Sequence, residues 1–247
     1  MASDYQERHE RKLDRSDLLV NYLLAPPAWL TGTLYGLETD GMENVPEKGP
    51  ALILSKHSHG LLDVPLLGIA IHNQPGNRGR NANYIMKSIP FFNYIMKKFG
   101  GIIIPTASDM KRDDPGYRDM IKHAREEMDG IFDDNIRFVY KHKNGELIVL
   151  YPEGKVVRPG MGKLKERFVR RTLEAQEEIG EIPLIPAGIE YGGWISDRVP
   201  KRPVRIRIGK PMTADAQTAQ DNKKFHELMH EIGGEIGRLS GGLKYEF

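Results

Sequence analysis

The chain has 247 residues, 39% hydrophobic and 28% charged, a balance that excludes a disordered tract and suits one α/β domain. Lys plus Arg (36) nearly cancels Asp plus Glu (34), so the net charge of +2 points to no partner class, nucleic acid included. The absence of cysteine excludes disulfides, thiolate metal sites and a cysteine nucleophile.

The first 16 residues carry charges of both signs, and the apolar stretch Leu18 to Leu30 follows. That stretch falls short of the roughly 20 residues a membrane-spanning helix needs, and Pro26-Pro27 interrupts it. It reads either as an amphipathic helix against the core or as a segment lying in a membrane interface, for which Trp29 is suited.

Leu34 to Asp40 reads as a strand, and Asn44, Pro46 and Gly49 mark the turn that follows. Ala51 to Ser55 is a short apolar run with the pattern of a buried strand. Asp63 to Ile71 is predicted helical, with Pro65 tolerated in its first turn. A polar loop over Asn73 to Asn81 leads to a strand at Tyr84 to Met86, a short helix at Phe91 to Phe99 and a strand at Ile102 to Ile104. Pro115 to Met128 is predicted helical and Glu146 to Tyr151 a buried strand. Lys163 to Ile179 has the pattern of a basic amphipathic helix, and Leu184 to Tyr191 and Val204 to Ile208 those of strands. Phe225, Leu228, Met229, Ile232, Ile236 and Leu239 recur at helical spacing, so a C-terminal helix is expected on the sheet. The alternation predicts a single α/β domain with a mixed, mostly parallel sheet flanked by helices.

The densest chemical signal is Ser55-Lys56-His57-Ser58-His59-Gly60-Leu61-Leu62-Asp63, where a buried strand gives way to a helix. An imidazole takes a proton from an alcohol near neutral pH, and a carboxylate on its other ring nitrogen fixes the tautomer. The same His57, His59 and Asp63 are competent metal ligands, and surface histidines in a loop are the simplest reading of the residues alone. A second signal is Tyr151-Pro152-Glu153-Gly154, which follows the apolar run Leu147 to Leu150 and places a carboxylate at a strand end. A third is the basic run Lys155, Arg158, Lys163, Lys165, Arg167, Arg170 and Arg171, either a solvated helix face or an anion site.

Taken in order, these blocks resemble the glycerolipid acyltransferase family, which includes the lysophosphatidic acid acyltransferases. The resemblance runs from Leu34 to Met212. It starts with Gly41-Met42-Glu43-Asn44-Val45-Pro46, continues through His57 to Asp63, and includes Lys87, Pro90-Phe91-Phe92 and Gly101-Ile102-Ile103. Tyr151-Pro152-Glu153-Gly154 and Leu164-Lys165 follow, then Ile182-Pro183-Leu184-Ile185-Pro186 and Gly209-Lys210-Pro211. The family separates its histidine from its aspartate by four residues. Here the position that spacing selects is Ser58, with His57 one place too far from Asp63 and His59 one too close. The strand end favours His57, and His59 stays a rival. The family's Thr-Arg-Ser after Glu-Gly is replaced by Lys155-Val156-Val157, with Arg158 beyond.

The resemblance implies an O-acyltransferase that moves a fatty acyl group from acyl-CoA or an acyl carrier protein to a hydroxyl of a lysophospholipid or other lipid alcohol. His57 or His59 would be the base, oriented by Asp63, while Lys87, Glu153, Gly154, Lys155, Arg158 and Lys165 would line the substrate site. Backbone N–H groups at the start of the Asp63 helix or at Gly154 would stabilise the oxyanion. No metal or resident cofactor is expected. Residues 1–33 would contact the membrane and residues 34–247 form the catalytic domain, peripheral or monotopic on the cytoplasmic face. The rival readings are a metal-dependent hydrolase built on His57, His59 and Asp63, and a non-catalytic lipid-binding module.

Overall fold

The computed structural model describes residues 36–60, 62–73, 82–87, 101–104, 147–196, 199–200 and 203–247, with isolated helical positions between Gly130 and Tyr140. The predicted membrane-contact segment 1–33, the polar loop before residue 82 and the helices predicted at Phe91 to Phe99 and Pro115 to Met128 lie outside the described residues.

Strands β1 (Leu37–Asp40), β2 (Ala51–Ser55), β3 (Ala82–Lys87), β4 (Gly101–Ile104), β5 (Leu147–Leu150), β6 (Leu184–Tyr191) and β9 (Val204–Ile208) form one sheet in the order β1-β9-β6-β2-β5-β3-β4. Its neighbours pair in parallel except β6 and β9, which run antiparallel from Ala187↔Ile208 to Tyr191↔Val204. The short connection between those two strands carries the hairpin of β7 (Trp194–Ser196) and β8 (Val199–Pro200), which the sequence did not announce. The helices are α1 (Asp63–Asn73), α2 (Arg167–Ile179), α3 (Ala216–Gln220) and α4 (Asn222–Leu239). The mixed, mostly parallel sheet flanked by helices is the architecture expected from the sequence.

The period-2 alternation of strand side chains divides the core into two layers. Ala51 and Ile53 of β2, Leu147 and Val149 of β5, and Ile185, Ala187 and Ile189 of β6 pack with Leu66, Leu67, Ala70 and Ile71 of α1. Leu52, Leu54, Ile148, Leu150 and Leu184 face the other way, onto Val169 and Leu173 of α2 and Phe225, Met229, Ile232 and Ile236 of α4. The central strands are buried on both faces, which is why β2 and β5 read as unbroken apolar runs instead of alternating ones.

The connection from β2 through α1 to β3 passes over one face, and that from β5 through α2 to β6 over the other, in the opposite direction along the sheet. The carboxyl ends of β6, β2 and β5 therefore meet at a switch point, the place where open α/β sheets bind ligands.

Two motif blocks far apart in sequence are joined at the sheet edge. Gly41 adopts φ 71°, and a Cβ there would collide with the Ile208 carbonyl, to which Asn44 Nδ2 donates at 3.0 Å. Gly209 N–H donates to the Pro186 carbonyl at 2.8 Å, so the Gly-Lys-Pro block rests on the Ile-Pro-x-x-Pro strand. Helix α2 begins at Arg167, later than the predicted Lys163, because the chain before it is held extended by Lys165 N–H to the Pro152 carbonyl at 2.7 Å. Helix α3 is not among the elements expected from the sequence; its single turn is started by Asp215, whose side chain accepts from Thr218 N–H.

Candidate active site

The chain leaves β2 at Ser55 and turns through Lys56, His57, Ser58 and His59 before α1 starts at Asp63. Asp63 is fully buried, and its carboxylate organises that turn. Oδ2 accepts from Ser58 N–H at 2.7 Å, from His59 N–H at 2.6 Å and from His57 Nδ1 at 2.9 Å, while Oδ1 accepts from the Tyr191 hydroxyl at 2.5 Å. Four donors therefore converge on one buried side chain.

This network distinguishes the two histidines. His57 presents Nδ1 to Asp63, which places the proton on Nδ1 and leaves the lone pair on Nε2. His59 contributes its backbone N–H to Asp63, and its own Nδ1 accepts from Leu62 N–H at 3.2 Å. The ring that faces Asp63 is therefore His57, six positions before it, and the additional residue relative to the family spacing is taken up in the turn, where Asp63 N–H reaches the His59 carbonyl at 3.2 Å. The His57 side chain keeps 18% of its surface exposed against 0% for Asp63, so the pair has one edge open to an incoming molecule. The Tyr151 ring packs against the imidazole with centroids 4.6 Å apart.

Glu153 stands at the end of β5 beside β2, but its carboxylate does not face outward. It is buried, with Oε2 accepting from His57 N–H at 2.9 Å and Oε1 from Gly162 N–H at 2.6 Å. It thus braces the backbone of His57, a different task from the substrate contact expected of it. Gly154 has φ +65° and carries the Lys165 side chain across it, so close that a Cβ would lie 2.5 Å from Nζ. Lys155, Arg158 and Lys165 are exposed on the rim of this loop. Lys87 closes β3, and its side chain lies outside the described part of the chain. Arg170 and Arg171, read as part of a basic run, are held elsewhere: Arg170 stacks 4.0 Å from the Phe225 ring centroid and Arg171 pairs with Asp133 at 3.3 Å.

Three N–H groups near the expected oxyanion sites are already engaged. Gly154 N–H donates to the Tyr151 carbonyl at 2.9 Å, and at the start of α1 the N–H groups of Leu62 and Asp63 bond to His59. These three N–H groups are therefore held by the protein's own acceptors.

Two residues of the site gave no separate signal in the sequence. Lys56 is buried and donates to the Val157 carbonyl at 2.8 Å, while Val157 N–H returns a bond to the His57 carbonyl at 3.0 Å. Burial lowers the Lys56 pKa, against the pull of Glu153 and Asp63. The other is Tyr191, 128 positions from Asp63, whose only sequence signal was its place at the end of an apolar strand. The Tyr84 and Tyr151 hydroxyls are buried without a hydrogen-bond partner among the described residues.

A strand-end His–Asp pair braced by a Pro-Glu-Gly loop is the arrangement expected from the motif order, and a family model described as Acyltransferase matches residues 36–190, more than half of the chain. The chain belongs to the acyltransferase family. The acyltransferase also superposes on the crystal structure of PlsC, the 1-acyl-sn-glycerophosphate (LPA) acyltransferase of Thermotoga maritima, with a TM-score of 0.56 and 15% identity, covering 97% of this chain and 90% of that one. At that identity the likeness concerns the fold. No curated protein matches the sequence. The acyltransferase membership read from the motif blocks is borne out.

Proposed function

We propose that the protein transfers a fatty acyl group from a thioester, acyl-CoA or acyl carrier protein, to the hydroxyl of a lysophospholipid or related lipid alcohol. The observation that carries this reading is the His57–Asp63 contact of 2.9 Å at the open carboxyl ends of the central strands. His57 Nε2 takes the proton of the acceptor hydroxyl, and Asp63 stabilises the imidazolium. The alkoxide oxygen bonds to the thioester carbon, the C–S bond breaks, and the departing thiolate recovers the proton from His57. A new ester and a free thiol result. The exposed Lys155, Arg158 and Lys165 offer cations to a phosphate group of the acceptor or the donor. No resident cofactor is needed for these steps.

The geometry favours proton transfer over metal ligation. Every Asp63 oxygen already accepts from a donor, and His59 Nδ1 accepts from Leu62 N–H, so the three side chains do not present a shared ligand set. Among the described residues no group of three His, Asp or Glu side chains is placed to hold an ion.

Purified protein incubated with long-chain acyl-CoA or acyl carrier protein and a panel of lysophospholipids and lipid alcohols tests the proposal, read by mass spectrometry. An acylated acceptor formed in step with free thiol, in chelator as well as buffer, is the expected result. Thioester hydrolysis that depends on added metal, or no turnover over the whole panel, would return the function to the hydrolase or the binding module. We further propose peripheral docking on the cytoplasmic face of a membrane through residues 1–33. No helix among the described residues is long and apolar enough to cross a membrane. Liposome flotation that survives replacement of Leu23, Leu24 and Trp29 by Ser in a folded protein would place the contact elsewhere.

A further inference from the structure

Strand β6 runs past the end of its neighbour. Ser55, the last residue of β2, pairs with Ala187, and β6 continues four residues further to Tyr191, on the order of 13 Å at the usual strand rise. Ile185, Ala187, Ile189 and Tyr191 share one face by alternation, and the first three pack in the layer that holds α1. The overhang thus carries the Tyr191 phenol over the turn that holds His57 and against Asp63.

Three of the four donors to Asp63 converge on a single oxygen. Ser58 N–H, His59 N–H and His57 Nδ1 all meet Oδ2, and the donor to Oδ1 among the described residues is the Tyr191 hydroxyl. Rotation about the Cβ–Cγ bond moves both oxygens together, so the donors on Oδ2 and the one on Oδ1 jointly set the plane of the carboxylate. The Tyr191 contact of 2.5 Å lies in the range of hydrogen bonds from a hydroxyl to an ionised carboxylate. With Asp63 fully buried, loss of that donor leaves Oδ1 without water to replace it.

We propose that Tyr191 is a positioning residue of the transfer reaction: by anchoring Oδ1 it locks the Asp63 carboxylate in the rotation in which Oδ2 meets His57 Nδ1 and Nε2 faces the acceptor hydroxyl. This rests on the reading of His57 as the base. Tyr191 touches no substrate and acts through Asp63, completing an aligned Tyr191–Asp63–His57 relay in which only the His57 proton moves. The neighbouring Tyr151 ring bears on the imidazole face and supplies no bond to either carboxylate oxygen, so the two tyrosines have separable roles.

The test is Tyr191→Phe, which removes one oxygen atom and keeps the ring that packs at the end of β6. Two readouts are taken on the full chain: kcat and KM with a lysophospholipid and acyl-CoA, and the low-field proton resonance of His57 Nδ1–H, assigned by its absence from His57→Ala. The expected result is a kcat lower by about 10- to 100-fold, the range seen when partners that orient a metal-bound histidine are removed. KM stays close to native, the melting temperature of the folded protein falls by several degrees because Oδ1 has lost its donor, and the resonance is lost or shifted as the His57–Asp63 contact loosens. A native kcat overturns the proposal, and so does a low kcat with an unaltered resonance, which would assign the loss to something other than Asp63 alignment. The underlying reading fails separately: an active His57→Ala protein removes the base itself, whereas an inactive His57→Ala beside a fully active Tyr191→Phe removes only the positioning role.

Discussion

His57 Nδ1 lies 2.9 Å from Asp63 Oδ2, across a turn whose own backbone N–H groups at Ser58 and His59 bond to the same oxygen. Asp63 thus both shapes the turn and holds the imidazole. Replacing it with Asn keeps the volume but offers an amide N–H where an acceptor is needed. Turnover of Asp63→Asn is expected to fall about 10⁴-fold, as when the orienting aspartate of a serine protease is so changed. Steady-state kinetics on protein with native circular dichroism checks it, and near-native turnover would remove Asp63 from the mechanism.

Glu153 is predicted to act through the backbone. Its two oxygens accept from His57 N–H and Gly162 N–H, so Glu153→Gln points an amide N–H at one of these donors. A hydrogen bond to a charged group contributes about 1.5–3 kcal/mol, and a loss of that order in urea unfolding is expected, with lower kcat because His57 shifts. If Gln costs no stability, the brace is not made by the carboxylate.

Gly188 tests the packing of α4 on the sheet. A Cβ there would run into the backbone of Leu239 and Ser240, where no side chain can move aside. Gly188→Ala is therefore expected to cost more than about 3 kcal/mol, at the severe end for a point substitution. Denaturant unfolding of this variant near the native midpoint would contradict the contact.

The buried tyrosines set the alkaline limit of the fold. Burial raises the pKa of Tyr84, Tyr140 and Tyr151 above 10.0, and for Tyr151 the Asp63 charge adds to it. The unfolded chain loses these protons first, so it binds fewer protons than the native state once the pH passes about 10, and stability falls from there upward. Titration followed at the phenolate absorbance is expected to show these three hydroxyls ionising late and together with unfolding. Their early ionisation in a native protein would show that water reaches them.

Much of this was legible in the sequence because it depends on local pattern. The β2 and β6 boundaries coincide with their apolar runs and those of β9 with its alternating Val-Arg-Ile-Arg-Ile pattern, and the His–Asp block sits where a strand becomes a helix. Spacing alone could not choose between His57 and His59, because each is one place from the family position; the choice depends on which ring turns toward Asp63, a matter of backbone direction in a tight turn. Glu153 sits at the end of β5 as expected, but nothing local shows that its partners include backbone N–H groups at His57 and Gly162. Tyr191 was invisible for a similar reason: its contact with Asp63 spans 128 positions and arises from the overhang of β6 beyond β2.

The most direct test of the account compares His57→Ala with His59→Ala in a single assay of acyl transfer to a lysophospholipid. His57→Ala is expected to abolish transfer while the protein stays folded. His59→Ala removes the acceptor for Leu62 N–H, so it is expected to cost stability of about 1–3 kcal/mol and to retain transfer. An active His57→Ala protein, or loss of transfer only in His59→Ala, would contradict the assignment of the base and with it the mechanism.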